Sequence, residues 1–285
     1  IFKCWQQFDL RMSTTSPKII YKYRDWNNLD HRRLLLDGEL FVSSPKDFND
    51  PFDCRISKNF SLLDTEEKLW EFAKRQSEEL REFQHRHTKA PGIDEIITDF
   101  ERKIFERLKF HREDEQKKYD AYTFRKQDEH NGIVSFSEIW DSILMWGHYA
   151  CNHSGFCVGF FEKKVRESEH FGGGGPVNYS DDFPSMNPLD EFSMQSVFIE
   201  THTKAMDWQY EKEYRLMKLF FPKAASIDDR KIHLDKSFFA EIMIGVKFPK
   251  DQVKWISDLA FKLGVKLYEI KQIPFRFKLA REEII

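Results

Sequence analysis

The chain has 285 residues, 33% of them charged and 40% hydrophobic, with a formal net charge of −3. It is long enough to bury a sizeable core and too apolar for a disordered segment. The near-balanced charge excludes global steering toward nucleic acid and leaves only local basic patches. No run is long and apolar enough to span a bilayer, and Ile1 to Arg11 lack the basic start and apolar stretch of a secretory signal. The expected compartment is the cytoplasm, with no membrane partner. Cys4, Cys54, Cys151 and Cys157 are too few for a disulfide framework in a chain this long. Because the chain opens on Ile1, Met12 is a candidate natural start, and residues 1–18 read as an N-terminal extension.

Residues 19–285 read as one α+β domain. Ile19 to Arg24 is rich in β-branched and aromatic residues and predicts a strand. Asn27 or Asn28 caps a short helix through Leu34, Leu35 and Leu36, with Gly38 at its C-terminal cap, and a strand follows over Leu40 to Ser43. A helical insertion is expected over about 62–130. It starts at Asp64-Thr65-Glu66-Glu67, and Ala90-Pro91-Gly92 breaks it into a hairpin of two long helices. Ile93, Ile96, Ile97, Phe100, Ile104 and Leu108 give it one apolar face. Its charged outer faces read first as a solvated surface, with a docking surface for an antitoxin or another protein partner as the alternative. Strands resume at Ile133 to Phe136 and Gly155 to Phe161, around a short helix capped by Asp141 that contains Trp146 and Tyr149. The glycine run Gly172 to Gly175 lacks the Lys-Ser/Thr and the strand-to-helix context of a phosphate loop, and reads as a flexible loop. A helix over Leu189 to Met206 precedes a strand-like run, Leu216 to Phe221. Strand, helix and strand then follow over Phe238 to Val246, Lys250 to Leu263 and Val265 to Ile270.

The most informative motif is Glu211-Lys212-Glu213, between the aromatics of Trp208-Gln209-Tyr210 and Tyr214-Arg215. Two carboxylates one residue apart at a strand entry point to the same side. Ringed by aromatics, they suit a developing cation or a sugar hydroxyl. At a strand entry, Glu213→Gln is expected to remove charge with little effect on stability. Asn49-Asp50-Pro51 is first a turn, and with Asp53 it also has the make-up of a site loop. Cys151, His153, Cys157 and His148 match no zinc spacing, so no metal is expected there. Ser135, Ser137 and His148 lack a nucleophile elbow. Asp50, Asp53, Glu211, Glu213 and Lys218 together contain the acids and lysine of a metal-dependent nuclease, the alternative enzyme class. A third class is a non-catalytic module that senses a nucleotide or docks a partner.

Four ordered blocks carry a resemblance. Tyr21-Lys22-Tyr23-Arg24, then Ser43-Ser44-Pro45 through Asn49-Asp50-Pro51-Phe52-Asp53, then Met145-Trp146-Gly147-His148-Tyr149-Ala150 with His153-Ser154-Gly155-Phe156, and finally Tyr210 to Arg215, resemble the signature blocks of a large bacterial family of domains of unknown function. Beneath that, strand, short helix, Gly and strand resemble the opening of ADP-ribosyltransferases. This resemblance implies a split β-sheet core, NAD as co-substrate without a metal, and a macromolecular target, nucleic acid or protein. It implies a bacterial toxin or phage-defence effector. Lys22, Tyr23, Arg24, Ser135, Ser137 and His148 would hold the dinucleotide, with Glu213, Glu211 and Tyr149 catalytic. Asn49, Asp50, Asp53 and Arg215 would form a site loop or meet the substrate.

Overall fold

The computed structural model describes residues 16–86 and 92–284. The chain divides into two compact units, residues 1–51 with 127–181 and 202–285, and residues 52–126 with 182–201. The architecture is mixed α+β.

The first unit is built on strands β1 (Ile19–Arg24), β2 (Glu39–Phe41), β3 (Asn131–Ser137), β4 (Phe156–Phe161), β5 (Gly173–Pro176), β6 (Asn178–Ser180), β7 (Thr203–Ala205), β8 (Glu213–Leu219), β9 (Lys231–His233), β10 (Phe239–Ile244), β11 (Lys266–Gln272) and β12 (Leu279–Glu283). Eight of them form one mixed sheet in the order β12-β11-β10-β4-β1-β3-β8-β5. Pairing is uneven: β1 meets β4 over six residues but β3 only at Tyr21–Ser137. Opposed residues share a face, so Glu241, Gly159, Tyr21, Ser137 and Glu213 form one row across one face. Tyr23, Ser135 and Arg215 share that face by alternation, whereas Ile20, Lys22, Arg24, Phe136 and Tyr214 lie on the other.

Helices cover both faces. Helix α1 (Leu29–Leu36) starts at Asn28, whose side chain accepts from the Asp30 amide at 2.9 Å. The helix ends at Asp37, and Gly38 follows in the left-handed region at φ 69°. Leu34 and Leu35 join Ile20, Val158, Phe160, Leu216 and Ile242 in the larger core. Trp26 anchors that core edge-on against Phe156, Phe248 and Trp255, the last from helix α8 (Val253–Leu263). Each such buried side chain contributes about 1.5–3 kcal/mol. On the opposite face, helix α5 (Ile143–Tyr149) sets Met145 and Trp146 against Tyr21, Tyr23, Cys157 and Met243. Its cap is Ser142 rather than Asp141: the Ser142 hydroxyl accepts from the Met145 amide at 3.3 Å.

The second unit is helical: α2 (Glu66–Arg86), α3 (Ile93–Phe110), most of α4 (Arg112–His130) and most of α7 (Met194–His202). The expected two-helix hairpin has a third helix, because the chain breaks at His111, where φ is −138°. The expected break at Ala90-Pro91 lies outside the described residues, and Gly92 caps α3 at φ 79°. On α3, Ile104, Phe105 and Leu108 pack with Phe60, Leu69 and Phe72, Ile97 is also buried, and Ile96 and Phe100 are exposed. Trp70 stacks on Phe105 with ring centres 4.4 Å apart.

Two further expectations change. The segment Leu189 to Met206 is helical only over Met194–His202; β7 follows, then a 3-10 turn over Met206–Glu211. The glycine run is not a loop: Gly173 to Gly175 pair antiparallel with Met217, Leu216 and Arg215 in the sheet. A β-carbon on Gly174 would sit 2.1 Å from the Arg215 carbonyl oxygen, so glycine permits a backbone approach that no side chain could. Overpacking of this kind costs about 1–3 kcal/mol, so Gly174→Ala should lower the melting temperature by about 2–8 °C. An unchanged thermal melt would show that β5 does not hold this register.

Candidate functional site

The Glu211-Lys212-Glu213 motif is placed by a turn, not by strand alternation. Residues Met206–Glu211 wind a 3-10 turn, Lys212 adopts the left-handed region (φ 44°, ψ 53°), and β8 begins at Glu213. The Lys212 carbonyl accepts from the Glu138 amide at 2.8 Å, which fixes the reversal. Both carboxylates thereby face Lys204, whose ammonium lies 2.6 Å from Glu211 and 3.2 Å from Glu213. Arg215 donates through Nε and a terminal nitrogen to the two oxygens of Glu213, at 2.7 and 2.9 Å. Ser135 adds a side-chain hydrogen bond to Glu213. Lys204, Glu211, Glu213 and Arg215 are all buried.

The two acids are held differently. Burial pushes the Glu213 carboxyl up, but the Arg215 charge and hydrogen bonds, with Lys204 and Ser135, outweigh it and hold it well below the usual carboxylate range. Burial raises Glu211 and wins over its Lys204 and Tyr149 partners. Neighbouring carboxylates driven apart in this way suit acid–base or electrostatic work.

An aromatic rim surrounds the cluster. The Tyr149 hydroxyl donates to Glu211 at 2.5 Å and also bonds the Asn49 side chain. His148 lies 5.9 Å from Tyr210 between ring centres, and Trp208 lies 6.2 Å from Tyr210. Lys204 sits 4.7 Å from the Trp208 ring centre, and Arg215 is 5.5 Å from that of Phe48. The Tyr179 hydroxyl accepts from the Glu213 amide at 2.8 Å.

The structure therefore brings Asn49, Tyr149, Ser135, Glu211, Glu213 and Arg215 together, with exposed His148 at the rim. Ser137 donates to the Glu211 carbonyl at 2.6 Å and accepts from the Ile139 amide, so its hydroxyl shapes the motif. Tyr23 packs edge-on against Trp146 and donates to the Ile139 carbonyl at 2.9 Å. Lys22 and Arg24 belong to the opposite face, at the end where β1 and β3 do not pair. There the Lys22 ammonium reaches the Ser135 carbonyl, and it feels the charges of Glu213 and Glu211. Among the described residues no carboxylate pairs with Arg24. Asp50 is buried in the first unit; Asp53 is buried in the second, beside the Cys54 thiol at 3.5 Å. Lys218 lies five residues along β8 from Glu213, pointing to the other face. Among the described residues no group of three or more His, Cys, Asp or Glu is placed to hold a metal ion.

Sequence reasoning missed Lys204 and Tyr179, and it marked Trp208, Tyr210 and Phe48 only as aromatics flanking the acids and the site loop. Lys204, a lone lysine before Ala205-Met206, carries no local signal. The burial of Glu213 also corrects the stability expectation. Removing its charge leaves Arg215 and Lys204 undercompensated, and breaking a buried pair costs about 3–5 kcal/mol. Lys204→Met should cost a similar amount by chemical denaturation, and Lys204→Met with Glu211→Gln should recover part of it. Equal losses in the single and double variants would mean that the two groups are not coupled.

Two histidines set the acid limit. His202 is held down at about 3 by burial and then by Arg215, and His31 at about 4 by burial and then by Arg24 and Lys22. An unfolded histidine takes its proton near pH 6.5. Between there and pH 4 the unfolded chain binds more protons, so stability falls as the pH drops through this window. His202→Gln should flatten that decline in melts taken from pH 7 to 4; an unaltered slope would assign it to other groups.

Residues 145–216 match the family described as protein of unknown function (DUF2971). The matched segment spans His148, Tyr149, Lys204, Trp208, Glu211, Glu213 and Arg215, most of the cluster described above. No curated protein and no solved structure matches the chain. Among the described residues no helix is long and apolar enough to cross a membrane.

Proposed function

We propose that this chain is a mono-ADP-ribosyltransferase that uses NAD to modify a macromolecule, nucleic acid or protein, in the manner of a bacterial toxin or phage-defence effector. The observation that carries the reading is Arg24. Its guanidinium is half-buried, burial alone lowers it to about 10, and it stays charged at neutral pH without a carboxylate partner among the described residues. Beside it, burial and then the Arg24 charge lower the Lys22 ammonium well below its usual range, and burial, with Arg24 and Lys22, lowers His31. Such a cation pair fits the pyrophosphate of a dinucleotide, which supplies the missing negative charge. β1 and β3 pair at a single position, which supports the reading of an opening in the sheet at this end.

The acids suit the bond to be broken. Cleaving the nicotinamide–ribose bond passes through an oxocarbenium-like state, which a carboxylate on the ribose hydroxyls stabilises. Glu213 is saturated by the Arg215 fork and Lys204, so its role is to position the cluster. Glu211, bonded by the rim hydroxyl of Tyr149, is the acid assigned to face the ribose. Tyr149, Tyr210 and Trp208 supply surfaces for an aromatic leaving group. A metal-dependent nuclease is less well supported: both acids are already engaged by cations, and Lys218 points away from them.

Adenine-labelled NAD incubated with the protein, chelator and a cell extract should transfer label to macromolecules. Glu211→Gln and Tyr149→Phe should each reduce the rate by roughly a hundredfold, as loss of one preorganised electrostatic contact does. Arg24→Gln should act mainly through a raised KM for NAD. Activity that chelator abolishes would favour the nuclease. Folded Glu211→Gln with full activity would remove Glu211 from the chemistry.

A further inference from the structure

The most exposed aromatic pair in the described chain lies outside the candidate site. The turn joining β11 to β12 reads Ile273-Pro274-Phe275-Arg276-Phe277-Lys278, closed by the Ile273 amide donating to the Lys278 carbonyl at 3.0 Å. Phe275 and Phe277 are 106% and 99% exposed, as open as side chains in an extended peptide. Folding gains nothing from either ring. Phe275 also sits at φ 60°, in the left-handed region that bulky side chains avoid. The hairpin thus holds a strained backbone while presenting two rings to solvent.

Charge defines what these rings would meet. Between Gln272 and Leu279 the turn has two cations, Arg276 and Lys278, and no acid. Among the described residues neither cation is in an ion pair. Lys271, just before the turn, does have a partner, Glu269 at 2.5 Å. Aromatic faces alternating with unpaired cations are the combination that takes single-stranded nucleic acid: rings stack on bases and cations meet phosphates. Compact flat bases match two separate rings on a narrow tip, whereas bilayer insertion draws on a broader apolar face.

The topology places this tip usefully. β1 runs antiparallel to β4, β4 antiparallel to β10, and β10 parallel to β11, so the hairpin lies at the same end of the sheet as Arg24. Arg24, Phe156, Ile244 and Glu269 are in one row, and the turn begins beyond Gln272. Three strand spacings separate β1 from β11, about 14 Å.

We infer that the β11–β12 hairpin binds single-stranded nucleic acid through Phe275 and Phe277, with Arg276 and Lys278 on the phosphates. This names the acceptor class for the reaction proposed above and rests on that reading only for its role in catalysis, because binding is measured without dinucleotide. Fluorescence anisotropy of the full chain with labelled oligo(dT) and oligo(U) 20-mers, a matching duplex, and phosphatidylcholine–phosphatidylserine vesicles provides the test. Single strands should bind more tightly than the duplex. Phe275→Ala with Phe277→Ala should weaken them by about 10- to 100-fold. Arg276→Gln with Lys278→Gln should lower the slope of log affinity against log salt by about 1.4. The substituted side chains are exposed, so melting temperatures should be unchanged. Absence of single-strand binding by the unaltered chain, or equal binding by the Phe variant, would overturn the inference. Vesicle binding that depends on the two Phe, without oligonucleotide binding, would replace it with a membrane contact. Oligonucleotide binding without NAD transfer would leave the hairpin assignment standing and remove the transferase.

Discussion

Four buried charges meet where β8 begins, and the local fold is arranged around their compensation. Lys204 is shared between Glu211 and Glu213, and Arg215 closes a two-point fork on Glu213. Burying any one of these alone would cost several kcal/mol, so the group forms as a unit. That requirement explains its surroundings: a left-handed Lys212 to reverse the chain, a tyrosine hydroxyl under the Glu213 amide, and a glycine edge strand that approaches Arg215 without a side chain. The geometry stabilises little by itself. It specifies where the carboxylates stand.

The cluster is linked to its rim by Glu211. One of its oxygens meets the buried ammonium, the other the Tyr149 hydroxyl, and Tyr149 in turn meets Asn49 from a distant loop. Glu213 has no such outlet, being held on both oxygens by Arg215 and Lys204.

At the other end of β1 the balance is reversed. Lys22 and Arg24 are two half-buried cations on a strand that pairs with β3 at one position only. The Lys22 ammonium is bonded to a carbonyl left free by that missing ladder, while Arg24 has no counter-charge among the described residues. Glu213 is compensated by two cations, whereas Arg24 pairs with no carboxylate among the described residues.

Much of the fold was legible because it is local. Alternation in Ile19 to Arg24, the Asn28 cap, the Gly38 stop and the strands around α5 all follow from short-range preferences, and the site blocks stood out as aromatic residues beside charges. The glycine run was misread because its strand character comes from β8, not from glycine. The third insertion helix was missed because α4 has no buried side chain to give it a periodic apolar face. The site itself was half visible. Glu211, Glu213, Tyr149 and Asn49 were marked by their neighbours in sequence, but a solitary lysine has no local signature. The sequence alone determined the α+β class, most element positions and the residue types available for chemistry. Tertiary structure decided which partners hold each acid and which face each β1 cation occupies, because both depend on strand register and on charges brought together from separate segments.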